Sequence, residues 1–403
     1  MAFKIANNVV IDNSGNQPLA PTQGFNVVGN LTFTEQLTPS TINHYLGSTF
    51  GYFTGVSGNE TPQSPVPNLS NQREKFPFAS DVNSVDVGGL GVEPPPAPIP
   101  SESLRQCISH SSSTNGYTSL GDFAPGLIPP PTPPVFRGSN YVRKFPFATD
   151  VDATAVMQDP FTEDGFFNVR STVGHSSTTT GYITGFVSGP PAGGRFPIGR
   201  TYHAKFPFAT DTEVQDAGTG TVGACFGEIT SSDNGYFHGG DAGPPIVLDP
   251  LRGTNVVFSF PFATDYTVVQ NGAGKIDSYI GEGAVGAGSS NDGYFMGSDT
   301  PPQSTVPKQL IRKFPFASDN FITSIVPGTL NRDTESGSHR SVVSQTDVYI
   351  GYGDSDPADP DFVPVTEYDK FPFASETTVT KVGDFSVITG RRASDGMIGG
   401  NQV

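Results

Sequence analysis

Apolar and polar residues alternate along this chain in short runs, each bounded by clusters of Gly, Pro, Asn and Asp. Alternation of this kind sends successive side chains to opposite faces of a strand. Apolar spacing of helical period, with capping residues to start and stop it, is hard to find, so the pattern predicts an all-β protein rich in turns. Two of the runs recur. Phe-Pro-Phe followed by Ala, a hydroxyl residue and an acid occurs six times: Lys75-Phe76-Pro77-Phe78-Ala79-Ser80-Asp81, Lys144 to Asp150, Lys205 to Asp211, Ser259 to Asp265, Lys313 to Asp319 and Lys370 to Glu376. A Gly-Tyr strand runs in phase with it, at Gly51-Tyr52, Gly116-Tyr117, Gly181-Tyr182, Gly235-Tyr236, Gly293-Tyr294 and Gly351-Tyr352, with a degenerate last copy in Asp395-Gly396-Met397-Ile398-Gly399-Gly400. Ser/Thr-rich runs such as Ser109-His110-Ser111-Ser112-Ser113-Thr114 precede most copies.

Successive Phe-Pro-Phe motifs lie 54 to 69 residues apart, too far for helical hairpin repeats and suited to the four-stranded blade of a β-propeller. The third repeat parses best: Arg170 to His175 as inner strand, Gly181 to Val187 as the second, Tyr202 to Phe208 as the third, and Asp211 to Gly218 leading into the fourth. In Phe-Pro-Phe the two rings fall on one face. The Pro cannot donate to a ladder, which predicts a strand end or bulge there. The acid that follows suits a tight turn in which it accepts backbone N–H groups, or a surface pair with the flanking Lys.

Val87-Gly88-Gly89-Leu90 and Val382-Gly383-Asp384-Phe385 read as fourth strands, and Val28-Gly29-Asn30-Leu31 resembles them without a Phe-Pro-Phe before it. Six motifs against seven Gly-Tyr strands then predict seven blades of about four antiparallel strands. The last blade would take two strands from each terminus, Val9-Val10-Ile11-Asp12 filling the place of the missing motif. Six blades with appended terminal strands is the alternative. The order Arg-x-x-x-x-His, Gly-Tyr-x-x-Gly, then a strand and turn resembles kelch-type propeller repeats. The double glycine is intact only at Gly239-Gly240 and Gly399-Gly400, and with no Trp in the chain, its 31 Phe take over the packing between blades.

Charged residues make up 15% of the 403 residues and the net charge is −17. An acidic surface disfavours nucleic acid and anionic membranes as partners, because both need a basic face. No window has the length of a spanning helix or signal-peptide core, so export by a signal peptide and membrane insertion are not expected. Cys107 and Cys225 fall two blades apart in a radial array, too far for a disulfide, and read as small buried residues.

The search for chemistry is mostly negative. Ser231-Ser232-Asp233-Asn234-Gly235 matches the Asp-box turn of sialidase-like propellers, a device on the outside of blades; Arg105, Arg170 and Arg332 do not recur as an active site of that class requires. His44, His110, His175, His203, His238 and His339 are scattered, and the equivalent positions of His110 and His175 point to a structural repeat role. The one dense acidic loop, with Asp354, Asp356, Asp359 and Asp361, offers oxygen ligands for Ca²⁺ but lacks a glycine pivot and reads as solvated. No catalytic residue, cofactor or metal is expected. Variable Pro-rich segments, Ala124 to Asn140, Gly189 to Arg200 and Pro94-Pro95-Pro96-Ala97-Pro98, are where binding specificity would sit.

Phe3-Lys4-Ile5-Ala6-Asn7-Asn8-Val9-Val10-Ile11-Asp12-Asn13-Ser14-Gly15-Asn16 resembles the opening segment of tailed-bacteriophage tail and fibre proteins. Lys-Phe-Pro-Phe-Ala-Ser-Asp with Ser-Ser-Ser-Thr-x-Gly-Tyr resembles repeats in structural proteins of marine phages. The resemblance implies a virion component of the tail or particle surface, assembled in the host cytoplasm and present in multiple copies. It implies a non-enzymatic tail fibre or adhesin whose partners are other virion proteins and a host-surface glycan or receptor. A tail-borne polysaccharide depolymerase and a capsid decoration protein are the alternatives. Residues 1–24 would form the phage-like segment, an anchor or a strand of the closing blade, and residues 25–403 the propeller.

Overall fold

The computed structural model describes residues 3–5, 8–11, 46–56, 72–91, 104–105, 108–119, 122–123, 141–158, 168–188, 199–218, 225–239, 257–264, 269–270, 284–297, 309–317, 324–331, 340–351, 367–386 and 399–402. The chain divides into two units, Met1–Thr41 and Ile42–Val403. In the first, Phe3–Ile5 and Asn8–Ile11 pair as an antiparallel hairpin.

The second unit is a β-propeller of six four-stranded antiparallel sheets. Blade 1 runs Gly399–Gln402, Phe50–Val56, Gln72–Pro77, Val85–Gly89, and blade 2 Ile108–Ser111, Asn115–Ser119, Tyr141–Pro146, Thr154–Gln158. Blade 3 is Asn168–Ser176, Thr180–Ser188, Gly199–Pro207, Gln215–Asp216, and blade 4 Cys225–Thr230, Asn234–Gly239, Val257–Pro261, Val269–Gln270. Blade 5 is Val285–Gly288, Asp292–Met296, Leu310–Pro315, Ser324–Thr329, and blade 6 Arg340–Val343, Asp347–Gly351, Glu367–Pro372, Thr380–Asp384. The first strands of successive blades touch one another around the whole ring, that of blade 1 meeting both blade 2 and blade 6, so these strands line the axis. They approach closely: a Cβ on Gly286 would lie 2.2 Å from the Glu228 carbonyl oxygen, and only glycine fits there.

The blade count is six, the second of the two counts considered, and the seam differs from the expected one. Gly399–Gln402 is the innermost strand of blade 1, paired with Phe50–Val56, so the ring closes with one strand from the C-terminal end and three from the other. The degenerate last repeat therefore completes the first blade and does not start a seventh. Val9 to Ile11 pairs with Phe3–Ile5 and takes no place in the closing blade, which is already four-stranded. Val28 to Leu31 and the Met397 region lie outside the described residues. Blade 6 holds a second correction. Its second strand carries Tyr349 opposite Lys370 and Val348 opposite Phe371, so Asp347-Val348-Tyr349 fills the Gly-Tyr place that Gly351-Tyr352 was expected to fill.

The Phe-Pro-Phe motif makes the joints between blades. Each Pro is the last residue of a third strand, a strand end, where its lack of an N–H costs no ladder bond. The following Phe turns back and donates its N–H to the residue before the second strand: Phe78 to Thr49, Phe147 to Thr114, Phe208 to Thr179, Phe262 to Asp233, Phe316 to Asn291 and Phe373 to Thr346, all at 2.8–3.0 Å. Its ring stacks on the Tyr of the preceding blade at every one of the six joints, with centroids 4.9–5.4 Å apart. The first Phe tilts against the same Tyr, at 4.9–5.6 Å. Each such ring pair adds roughly 0.5–1.5 kcal/mol beyond area burial.

The motif's acid bridges blades and does not cap its own turn. Asp150, Asp211 and Glu376 sit at φ 48°, 45° and 49°. That left-handed backbone aims the carboxylate at the preceding blade. Asp150 accepts from Tyr52 at 3.1 Å and from Lys75 at 2.6 Å. Asp211 accepts from Tyr117 at 3.1 Å and pairs with Lys144, and Glu376 accepts from Tyr294 and Lys313 at 3.1 and 2.5 Å. At the seam Lys370 meets Asp81 at 2.6 Å and Tyr349 donates to the Phe78 carbonyl at 3.3 Å. In the four joints whose acid is among the described residues, the Lys of one motif thus pairs with the acid of the next.

Candidate functional site

Antiparallel strands put the turns between first and second and between third and fourth strands at one end of every blade, and all other connections at the opposite end. The first end is spent on repeated structure. Ser112, Ser177, Ser231, Ser289 and Ser344 each open a tight turn whose hydroxyl accepts the N–H three residues on, at 2.9–3.0 Å. The Asp-box match at Ser231 is one of these. It lies between the two innermost strands of blade 4, not on the outside of the blade as expected, and its first Ser serves the turn.

The connections between second and third strands, 57–71, 120–140, 189–198, 240–256, 298–308 and 352–366, and the links from one blade to the next leave the strands at the opposite end. At that end stop the strands that flank all three Pro-rich segments and the acidic segment with Asp354, Asp356, Asp359 and Asp361. The segments themselves lie outside the described residues, as do Cys107 and Arg332, apart from the margins that enter strands. Among the described residues no three His, Cys, Asp or Glu side chains group to hold a metal.

At the axis, Glu228 of blade 4 is half-buried and its carboxylate accepts the Gly174 N–H of blade 3 at 2.9 Å. Burial pushes its carboxyl up; Arg340, on the first strand of blade 6, and the Gly174 amide draw it back. The histidines are wedges between blades. His110 bonds the His175 carbonyl at 3.1 Å and Ser119 at 2.8 Å, and packs edge-on against Phe206. His175, its equivalent, bonds the Tyr236 carbonyl at 2.9 Å and meets Phe260 edge-on. His203 bonds Thr184 at 2.8 Å, and His238 lies edge-on to Phe295. Burial holds His110 down to about 4 and His175 and His238 to about 3, so all three are neutral at pH 7.

Sequence reasoning missed a set of buried charges. Arg73, Glu74, Arg143, Arg312 and Asp369 are at most 1% exposed and stand two or three residues before the first Phe of a motif. Glu74 fastens the seam: it accepts from Ser84 at 2.7 Å and from the Ser386 hydroxyl of blade 6 at 2.7 Å. Asp369 accepts from Asn331 at 3.0 Å. The signal available was their parity, since Glu74, Arg143, Arg312 and Asp369 share a strand face with that Phe.

No protein-family model matches the chain, and no curated protein matches it. Among solved structures, one described as the structure of YjhT is similar in fold, with a TM-score of 0.51 at 14% identity over 83% of this chain and 98% of that one.

Proposed function

We propose that this propeller is a recognition module of a tailed-phage virion, a tail fibre or tail-associated adhesin that binds a host-surface glycan or receptor, or another virion protein, without turning it over. One observation carries the reading: the two ends of the ring are used differently. One end is built from six near-identical motif turns, while the long connections between second and third strands all depart from the other, the arrangement of a rigid scaffold that presents adaptable contacts. The resemblance of the opening segment and of the repeats to phage structural proteins supplies the biological setting. The net charge of −17 favours neutral or cationic partners over polyanions.

The test is to screen the purified chain on a glycan array and assay the same glycans for reducing-sugar release. Binding without release is expected, and replacing residues 125–139 by a Gly-Ser linker of equal length should abolish or redirect binding while leaving the unfolding midpoint within a few degrees. Release of reducing sugar with turnover would establish the depolymerase instead. Electron cryomicroscopy of the particle would place the chain on the tail, as expected, or on the capsid, which would make it a decoration protein.

A further inference from the structure

One innermost strand breaks register where its counterparts do not. In blade 4, Gly227 and Glu228 together stand opposite Phe237, a bulge between the pairs Phe226–His238 and Ile229–Tyr236. The first strands of the other blades pass the same level in regular register. Gly227 takes the left-handed backbone that such a bulge needs, at φ 60°. Blade 5 makes room for the bulge with Gly286, where a Cβ would also lie 2.5 Å from the Gly227 carbonyl carbon. A bulge leaves one residue unpaired and re-aims its side chain. Here that side chain is a carboxylate, at the level where the other blades carry Ser109, Gly174, Gly286, Ser341 and Gly400.

An innermost strand is covered by its second strand on one side and by neighbouring blades on both faces, so solvent reaches it only along the axis. Glu228 is partly exposed between buried Gly227 and Ile229, and so are Thr230, Ser176 of blade 3, and Arg340 and Val343 of blade 6. The ring is therefore open at this level, and these side chains border the opening. Glu228 makes one hydrogen bond among the described residues, accepting the Gly174 N–H at 2.9 Å. Arg340 acts on the same carboxylate from two blades away. It stands where blades 2, 3 and 5 carry Ile108, Val173 and Val285, each at most 4% exposed. The first strand next to it is the Gly-Gly strand of blade 1, which has no bulk at its start to keep a long side chain out.

Among the described side chains of the first strands the charges are Glu228 and Arg340, and they cancel. A carboxylate only accepts hydrogen bonds and a guanidinium only donates them. Adjacent hydroxyls satisfy both, whereas an ion of either sign is repelled by one of the two. We propose that the axial opening is a binding site for a neutral sugar or polyol, one hydroxyl donating to Glu228 and its neighbour accepting from Arg340, with Thr230 and Ser176 completing the wall. The inference is independent of the phage reading and of the connections at the opposite end.

The test is ligand-observed NMR of the full chain with a panel of the common neutral aldohexoses, N-acetylhexosamines and hexitols, and with D-glucuronate and D-glucosaminium as charged comparisons. At least one neutral member should bind saturably and more tightly than both charged sugars. Glu228→Gln still accepts from Gly174 but loses the charge, and should weaken that binding about tenfold. Arg340→Val, which installs the residue of blades 3 and 5, should abolish it. A panel with no neutral binder, tighter binding of a charged sugar, or binding that either variant leaves unchanged would overturn the site. Should Arg340→Val fail to fold, Arg340→Lys keeps the charge and loses the planar fork, and unchanged binding in that variant overturns the site equally.

Discussion

Lowering the pH from 7 to 5 should destabilise the propeller sharply, through its histidine wedges. His110, His175 and His238 have an ordinary value of 6.5 and are held in the folded ring at about 4, 3 and 3 by burial. Between those values the unfolded chain binds more protons than the folded one, so stability increases with pH in this window. The contribution is fully present above 6.5, begins to fall as pH drops through 6.5, and goes on falling until the folded values are reached. At pH 5 the gap is about 1.5 pH units per histidine, or about 2 kcal/mol each and about 6 kcal/mol for three. That is comparable with the whole stability of a typical domain, about 5–15 kcal/mol. Glu228, whose carboxyl is raised by burial, acts in the opposite sense and offsets part of the loss.

The assay is urea unfolding at several pH values between 7.5 and 5, on the native chain and on His238→Met. Methionine is what blade 5 carries at the matching position, Met296, which is fully buried. The variant should be as stable as the native chain at pH 7.5 and keep only about two-thirds of its pH-dependent loss, a difference of about 2 kcal/mol at pH 5. A native chain equally stable at pH 7 and 5, or a variant with the native slope, would refute the reasoning.

Four further outcomes follow from the joints. Tyr117→Phe removes the hydrogen bonds to Phe208 and Asp211 and should cost about 1–2 kcal/mol in urea unfolding. Lys144→Met removes a partly exposed ion pair with Asp211 and should cost no more than about 1 kcal/mol, an effect that shrinks in high salt. Gly116→Ala would place a Cβ 2.2 Å from the Phe145 ring and should cost about 1–3 kcal/mol by overpacking, read as a lower unfolding midpoint. Deleting residues 399–403 leaves blade 1 without its inner strand, so limited proteolysis should cut that blade first while the far blades remain protected.

The strand plan was legible because it rests on local rules. Alternation, turn residues and the Pro at a strand end place all four strands of blade 3 near their observed bounds, and they locate fourth strands at Val87 and Val382. The seam was not legible, for a physical reason. A Gly-Gly strand carries too little side chain to say whether it is the first or second of its blade, and that is decided by which edge is free, a long-range property. Blade 6 misled in a similar way: Val348 takes the glycine place because Phe371 swings away from Phe373 to 6.4 Å, against 5.5–5.7 Å in the other motifs. The buried arginines were hidden because charge is read as surface until the strand face is known.

The seam strand explains why the joints are built as they are. Gly399, Gly400, Asn401 and Gln402 bring no apolar side chain to the core, whereas the other first strands bring Ile108, Val173, Ile229, Val285 and Val342, each at most 4% exposed. A ring that depended on its first strands would therefore open at blade 1. The joint between blades 6 and 1 instead carries the same clasp as the rest, with Tyr349 stacked on Phe78 and Lys370 on Asp81. It adds the Glu74 bonds to Ser386 and the Tyr368 hydroxyl donating to the Val82 carbonyl. Closure is thus secured between whole blades, well outside the axis, and the weak inner strand is held in place by contacts it does not itself make. A repeat that writes its acceptor acid and its donor Tyr into every copy, and its donor Lys into five of the six, closes wherever the last blade meets the first, because the first motif already holds the acceptor that the last one needs.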